Sequence, residues 1–473
     1  SNAISGSGAV SLSGAGTTTL SGTNSYTGAT TVSAGTVVIT NSSALGGTST
    51  GTTVSGGVLD LQADIGAEPI TLSGGALKTT TGTGAVSGNI TLGSASTITV
   101  DGSLTLSGVI SGSYNFTKAG SGTLNLTGAN SYVGTTTISA GTLSVSGSGT
   151  LGATTNNLTL SGSAILDLQK GVTVGNLVMA TGNTITNSSG TSSLTVGGTA
   201  SLAGTITTSG DQTYSGAVTL LANTSLISNN GTGNGTITFS STVNSNTGTN
   251  YSLSTTTGTG STSFGGVVGG TRALSSLSTS GNASLAGSVT TTGTQYYGAN
   301  LTLTGSDISL NTTNSAVTVV GNVSTSEGTT VNYLTGGATW TTLQNGSNPY
   351  QLSLNLGQTW TYQADYLVGT MDGSGLNTIL SYGNYTDGVL VRTQGRGDSL
   401  YLKGDNYGAI DLFGNGNSGT NGVYRTVKVT YSNSAGTGTL NVYTDNVLIA
   451  TTSVAGNLTP AIQTLSIGRA IHA

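Results

Sequence analysis

The chain has 473 residues, only 5% of them charged, a net charge of −5 and no cysteine. That excludes a disulfide scaffold, a polybasic nucleic-acid or membrane-surface binder, and the high-charge, low-hydrophobicity pattern of a disordered chain. Glycine, Ser, Thr and Asn fill much of the rest, yet the apolar residues are too regular for a flexible linker.

Ser1-Asn2-Ala3 reads as a tag remnant, and the chain that follows starts mid-pattern, as a piece of a longer protein would. From residue 4 aliphatic residues alternate with Ser and Thr, as in Ile90-Thr-Leu92, Thr123-Leu-Asn-Leu-Thr127 and Leu301-Thr-Leu303. Period-two alternation bounded by Gly and Asn predicts half-buried strands. Only Pro69, Pro349 and Pro460 interrupt the supply of backbone donors. There is no apolar run of about 18 residues that would span a membrane as a helix.

Repetition is the strongest feature. Gly14–Thr40 and Gly120–Ser146 align without a gap, Tyr26 on Tyr132 and Gly35 on Gly141. Leu59-Asp-Leu-Gln62 then matches Leu166-Asp-Leu-Gln169. A second family begins at Ser201-Leu-Ala-Gly and Ser284-Leu-Ala-Gly, followed by Gln212 and Tyr214, and by Gln295 and Tyr297. Such self-similarity predicts a solenoid. Each 27-residue copy holds three short alternating stretches, so one circuit of roughly 20–27 residues reads as one coil of a parallel β-helix. Leu124, Leu126, Ile138, Leu143 and Val145 are expected to point inward. Residues 4–332 would form about 15 coils, a rod of about 70 Å at the usual strand spacing.

The segments Leu20-Ser-Gly-Thr-Asn-Ser-Tyr-Thr-Gly28 with Ala34-Gly-Thr36, and Leu126-Thr-Gly-Ala-Asn-Ser-Tyr-Val-Gly134 with Ala140-Gly-Thr142, resemble the autotransporter-associated β-strand repeat, also called the passenger-associated transport repeat. The Ser-Leu-Ala-Gly repeats resemble those of filamentous-haemagglutinin-like exoproteins. These resemblances imply a right-handed parallel β-helix on an exported, cell-surface or secreted protein of a Gram-negative bacterium. They also imply an outer-membrane translocator as partner, lying outside this sequence.

The composition changes near residue 333. Eleven of the eighteen Tyr lie between Tyr333 and Tyr443, both Trp are Trp340 and Trp360, and six of the ten basic residues follow. Residues 333–473 therefore read as a second domain. Val423-Tyr-Arg-Thr-Val-Lys-Val-Thr-Tyr431, Gly438-Thr-Leu-Asn-Val-Tyr-Thr-Asp-Asn446 and Leu465-Ser-Ile-Gly-Arg469 resemble a laminin-G-like or concanavalin-A-like jelly roll. The overall class is all-β, a parallel β-helix followed by an antiparallel β-sandwich.

Candidate sites cluster in that second domain. Arg396-Gly397-Asp398 would display a cation and a carboxylate at a hairpin tip, as integrin ligands do, or be an ordinary polar turn. Asp398, Asp405, Asn406 and Asp411 would supply the oxygens of a Ca²⁺ site, or be solvated loop acids. Tyr385 and Tyr407, with Trp360, would offer a stacking platform for a sugar, though Trp360 reads more simply as core. No other cofactor is expected.

No enzyme is expected. Asp60 and Asp167 recur in the scaffold and read as corner hydrogen-bonding groups. Lys78, Lys118, Lys170 and Arg272 are spread singly, and His472, the only His, sits at the terminus. Carbohydrate-cleaving chemistry would need converging carboxylates, or acids with a basic proton acceptor. The expected role is a surface adhesin whose stalk presents residues 333–473 to a cell-surface glycan or matrix protein. The alternatives are a carbohydrate-binding part of a polysaccharide-active protein, or a β-helical lyase or hydrolase.

Overall fold

A computed structural model describes residues 3–230, 234–305, 308–313 and 315–324 with their side chains, and beyond these the backbones of strand segments alone. About 15 turns of parallel β-solenoid are present, with no helix among the described residues. The chain divides into two units, residues 1–261 and 262–473.

In the first unit the strands pair in parallel with strands of neighbouring coils. Val10–Leu12, Thr30–Val32, Thr52–Val54, Ile70–Leu72, Ile90–Leu92 and Ile110–Ser111 form one such ladder, in register throughout. Val10 lies opposite Thr30, so the coil is about twenty residues long. Most strands are two to five residues long because corners of Gly, Ser and Asn turn the chain before the next face begins; Ala200–Thr207 and Val218–Ile227 run longer.

The alternation explains the core. Leu104, Leu124, Leu143, Leu166, Ile185, Ile206 and Leu226 are consecutive partners along one ladder, and each is fully buried. Leu124, Leu126, Ile138, Leu143 and Val145 point inward as the pattern requires. Their neighbours Thr123, Asn125 and Thr137 face outward and are half-buried. Burying such a side chain contributes about 1.5–3 kcal/mol, and no coil could do so without its neighbours. Ile185→Val removes one methylene from this column; the expected loss is about 0.5–1.5 kcal/mol, read as a small drop in the urea midpoint at unchanged slope.

One expectation is corrected. The 27-residue repeat is not one coil. Thr123 is paired with Thr142 within the same copy, and Thr17 with Thr36 in the other. The first and third strands of each copy thus occupy one face on successive coils, and the repeat is longer than a turn.

In the second unit the parallel pattern recurs. Ser276–Thr279, Gln295–Tyr297 and Val317–Val319 form one ladder, and Asn282–Leu285, Leu301–Leu303 and Val323–Thr325 another. Farther along, strand backbones pair antiparallel: Thr359–Leu367 with Tyr424–Ser434, the latter with Thr437–Thr444, and that with Val447–Ala455.

Candidate functional site

The most elaborated polar structure of the rod lies in the two aligned copies. Asn24 and Asn130 are buried and each bridges three coils. The Ile110 N–H donates to Asn130 Oδ1 (2.9 Å), and Asn130 Nδ2 donates to the Thr150 carbonyl (2.8 Å). Asn24 does the same with the Ile4 N–H (2.9 Å) and the Ala44 carbonyl (2.6 Å). An amide fits because it is donor and acceptor at once. Two residues on, Tyr26 and Tyr132 fill the core, their hydroxyls 2.6 Å from Thr30 Oγ1 and Thr136 Oγ1. Burial raises the pKa of both phenols, with the threonine bond acting in the opposite direction. Gly35 and Gly141 sit at φ of +67° and +63°, where a side chain would be strained, and each has a carbonyl of the previous coil against it.

The second repeat family has its own version. Gln212 and Gln295 are fully buried. Each accepts from a tyrosine hydroxyl, Tyr214 at 3.0 Å and Tyr297 at 3.1 Å, and donates to a carbonyl of the following coil, Ile227 and Asn311, at 2.8 Å. The Gln and Tyr that mark this repeat in the sequence are therefore interior polar pairs.

Charged groups of the rod are engaged structurally. Asp60 accepts from the Thr80 N–H (2.9 Å), Thr80 Oγ1 (2.8 Å) and Gln62 Nε2 (3.0 Å). Asp167 accepts from the Ser188 N–H and Oγ (2.9 and 2.7 Å), Gln169 Nε2 (2.8 Å) and Ser144 Oγ (3.2 Å). Burial by itself would raise the Asp167 carboxyl, but these donors outweigh it and hold it below the usual range. A lowered folded value means stability that is present above the unfolded pKa and lost as pH falls through the folded one. Asp167→Asn is thus expected to destabilise at neutral pH, and the gap to wild type to close as both are titrated below the carboxylate range.

Lys118 is fully buried at an inward position, and its Nζ donates to the carbonyls of Ala119 (2.9 Å), Gly120 (2.7 Å) and Ala140 (3.0 Å). Burial lowers its pKa to about 8, with Asp101 pulling the other way. Glu68, also buried, accepts from Thr52 Oγ1 (2.6 Å); burial raises its carboxyl. Lys78 and Asp101 form an ion pair at 3.8 Å. Among the described residues no three His, Cys, Asp or Glu gather as metal ligands, and no helix is long and apolar enough to cross a membrane.

Of the residues singled out in the C-terminal region, Tyr385, Arg396, Asp405, Asn406 and Tyr407 lie outside the described residues. Asp398 and Asp411 fall on the strand backbones Gly397–Lys403 and Ala409–Asp411, opposite Thr393 and Ser399. Trp360 is on the backbone of Thr359–Leu367, opposite Tyr431. Sequence reasoning missed the inward Lys118, although Phe116-Thr-Lys118 places it on the apolar phase of the alternation. It also missed the clamping role of Asn24 and Asn130, which only their recurrence could have flagged.

The family model of the passenger-associated transport repeat matches residues 12–39 and 116–145. These windows contain the Asn clamps, the buried tyrosines and the two left-handed glycines. No curated protein matches the chain.

Proposed function

We propose that this chain is the β-helical passenger of a secreted or surface-displayed protein, a stalk that presents residues 333–473 for adhesive contact. The observation that carries it is the pair of transport-repeat windows, built as interlocked coils of a parallel solenoid. Passenger repeats and a parallel rod belong together physically. Each coil is completed by its predecessor, so a chain emerging end first can fold coil by coil without distant partners.

A non-enzymatic role is supported by the rod's chemistry. Asp60 and Asp167 spend their oxygens on donors of neighbouring residues and coils, and the described acids do not converge. Contact is assigned to the C-terminal region because its antiparallel strand order and its tyrosine-rich composition suit a laminin-G-like sandwich. Tyr385, Arg396, Asp398 and Tyr407 are the proposed contact residues, and Asp398, Asp405, Asn406 and Asp411 the proposed Ca²⁺ ligands.

The full chain, fluorescently labelled, would be screened on glycan and matrix-protein arrays with and without Ca²⁺. Retention on a cell-surface glycan or matrix protein, reduced at least about tenfold by Tyr407→Ala or Asp398→Asn, is the expected result. Full binding by both variants would move the contact surface elsewhere. Absence of any retention would remove the adhesive role. Turnover of a polysaccharide by the same preparation would favour the lyase or hydrolase reading.

A further inference from the structure

Five asparagines at strand starts share one construction, which Asn223, inside Val218–Ile227 and heading Asn223-Thr-Ser225, repeats by accepting the Ser252 N–H (3.0 Å). Asn89, Asn115, Asn157, Asn282 and Asn300 are exposed, and each immediately precedes or opens a strand. In each, Oδ1 accepts a backbone N–H of the next coil: Val109 (3.1 Å), Thr135 (2.9 Å), Asn176 (3.1 Å), Asn300 (3.2 Å) and Asn322 (2.9 Å). Among the described contacts none of the five gives its Nδ2 a partner. The oxygen holds the stack and the amide nitrogen is left to solvent.

All five also head an Asn-x-Ser/Thr triplet: Asn89-Ile-Thr91, Asn115-Phe-Thr117, Asn157-Leu-Thr159, Asn282-Ala-Ser284 and Asn300-Leu-Thr302. The middle residue is buried, and the hydroxyl residue lies on the outward side of its strand. The buried asparagines differ. Asn24, Asn130, Asn156, Asn183 and Asn187 all commit Nδ2 to carbonyls, and of these only Asn187, in Asn187-Ser-Ser189, heads such a triplet. The triplet is common in so Asn- and Thr-rich a chain. What separates the two groups is which amide atom the fold consumes.

We infer that these five corner asparagines are N-glycosylation sites, each able to carry a sugar on Nδ2 while its Oδ1 keeps the coil-to-coil hydrogen bond. In the reaction Nδ2 attacks the anomeric carbon of a nucleoside-diphosphate hexose. A C–N bond forms, the C–O bond to the diphosphate breaks, and the nucleoside diphosphate and one amide proton depart. The product amide retains its carbonyl, so the acceptor that Val109 or Thr135 uses is unchanged. Because Ile90, Phe116 and Leu158 are locked into the core, the triplet is accessible to an enzyme only before its coil closes. The sugars then emerge along the corners, adding hydration to a rod with few charges. This inference concerns the stalk and is independent of what the C-terminal region binds.

The full chain would be produced together with a UDP-glucose-dependent asparagine N-glycosyltransferase, treated briefly with protease, and the resistant folded fraction mapped by peptide mass spectrometry. Glucose is expected at Asn89, Asn115, Asn157, Asn282 and Asn300 in the folded fraction. Glucose on Asn187 is expected only in the degraded fraction, since it would displace Nδ2 from the Leu168 carbonyl (2.8 Å). Thr117→Val should abolish modification at Asn115 alone and leave the rod resistant. A synthetic peptide covering 113–119 serves as the unfolded reference. Failure of that peptide to accept glucose would overturn the inference, as would its modification while the five sites stay bare or appear only in the degraded fraction. Modified Asn187 persisting in the folded fraction would refute the structural criterion.

Discussion

Gly108→Ala is expected to separate two coils and to lower the unfolding free energy by at least about 4 kcal/mol, a size reserved for a few mechanisms. A methyl at this position would lie 2.0 Å from the Gly88 carbonyl oxygen and 2.5 Å from its carbon. Both are backbone atoms, so no rotamer change relieves the contact and the coils themselves must part. Gly88 and Gly128 face the same obstacle from Glu68 and Gly108, at 2.1 Å each. The three therefore form a corner where backbones stack directly. Gly16→Ala is the matched control, because nothing lies within 4 Å of a methyl there; its effect should stay within about 0.5 kcal/mol. Urea unfolding of the two variants, followed by the strand signal in circular dichroism, would compare them. Equal midpoints would mean that the corner yields without cost.

Asn130→Ala is expected to cost about 2–4 kcal/mol, since it strands the Ile110 N–H below and the Thr150 carbonyl above in a buried corner. Asn130→Asp tests the assignment of the two atoms. It keeps the acceptor for Ile110 but turns the donor for Thr150 into a second acceptor, so it should rescue little. Asn125→Ala, on the outward side of Thr123–Leu126, gives up only a 3.4 Å contact of Nδ2 with Thr105 Oγ1 and should be near neutral. Amide hydrogen exchange at Ile110 gives the direct readout. Its protection should fall in Asn130→Ala before global unfolding, because local opening of that corner no longer breaks a side-chain bond. Unchanged protection would remove the clamp from the account.

Asn130 lies inside one of the two aligned copies and Gly108 outside both, and roles across the rod were legible to different degrees. The inward set was readable outright. Period-two alternation has only two phases, and in Thr123-Leu-Asn-Leu the apolar phase must be the buried one. The same rule would have placed Lys118 inside, but a lysine there contradicts the usual expectation, and the three carbonyls that satisfy it come partly from Ala140 on the next coil. Asn24 and Asn130 were visible only as parts of a recurring string. Their partners Ile4, Ala44, Ile110 and Thr150 are each twenty residues away, and pairing at that distance depends on the length of the coil. Asp60 and Asp167 are the contrary case. Recurrence beside an invariant Gln already suggested corner hydrogen bonding, and the donors from Thr80 and Ser188 supply it.

By itself the sequence determined that the rod is parallel, that its strands are short, which side chains face inward and where the composition of the chain changes. These follow from local chemistry, the two-residue period of a strand and the needs of a tight corner. Coil length and the placing of each repeat were decided only in three dimensions. The two transport repeats lie 106 residues apart, Tyr26 to Tyr132, five coils of about twenty residues and a remainder about the length of one strand and corner. Consequently Thr30–Val32 joins the ladder that begins at Val10–Leu12, whereas its counterpart Thr136–Ile138 pairs with Phe116–Ala119 and Leu158–Leu160 in the large sheet. Matching strings thus occupy different faces, because a strand's face depends on the cumulative length of every corner before it.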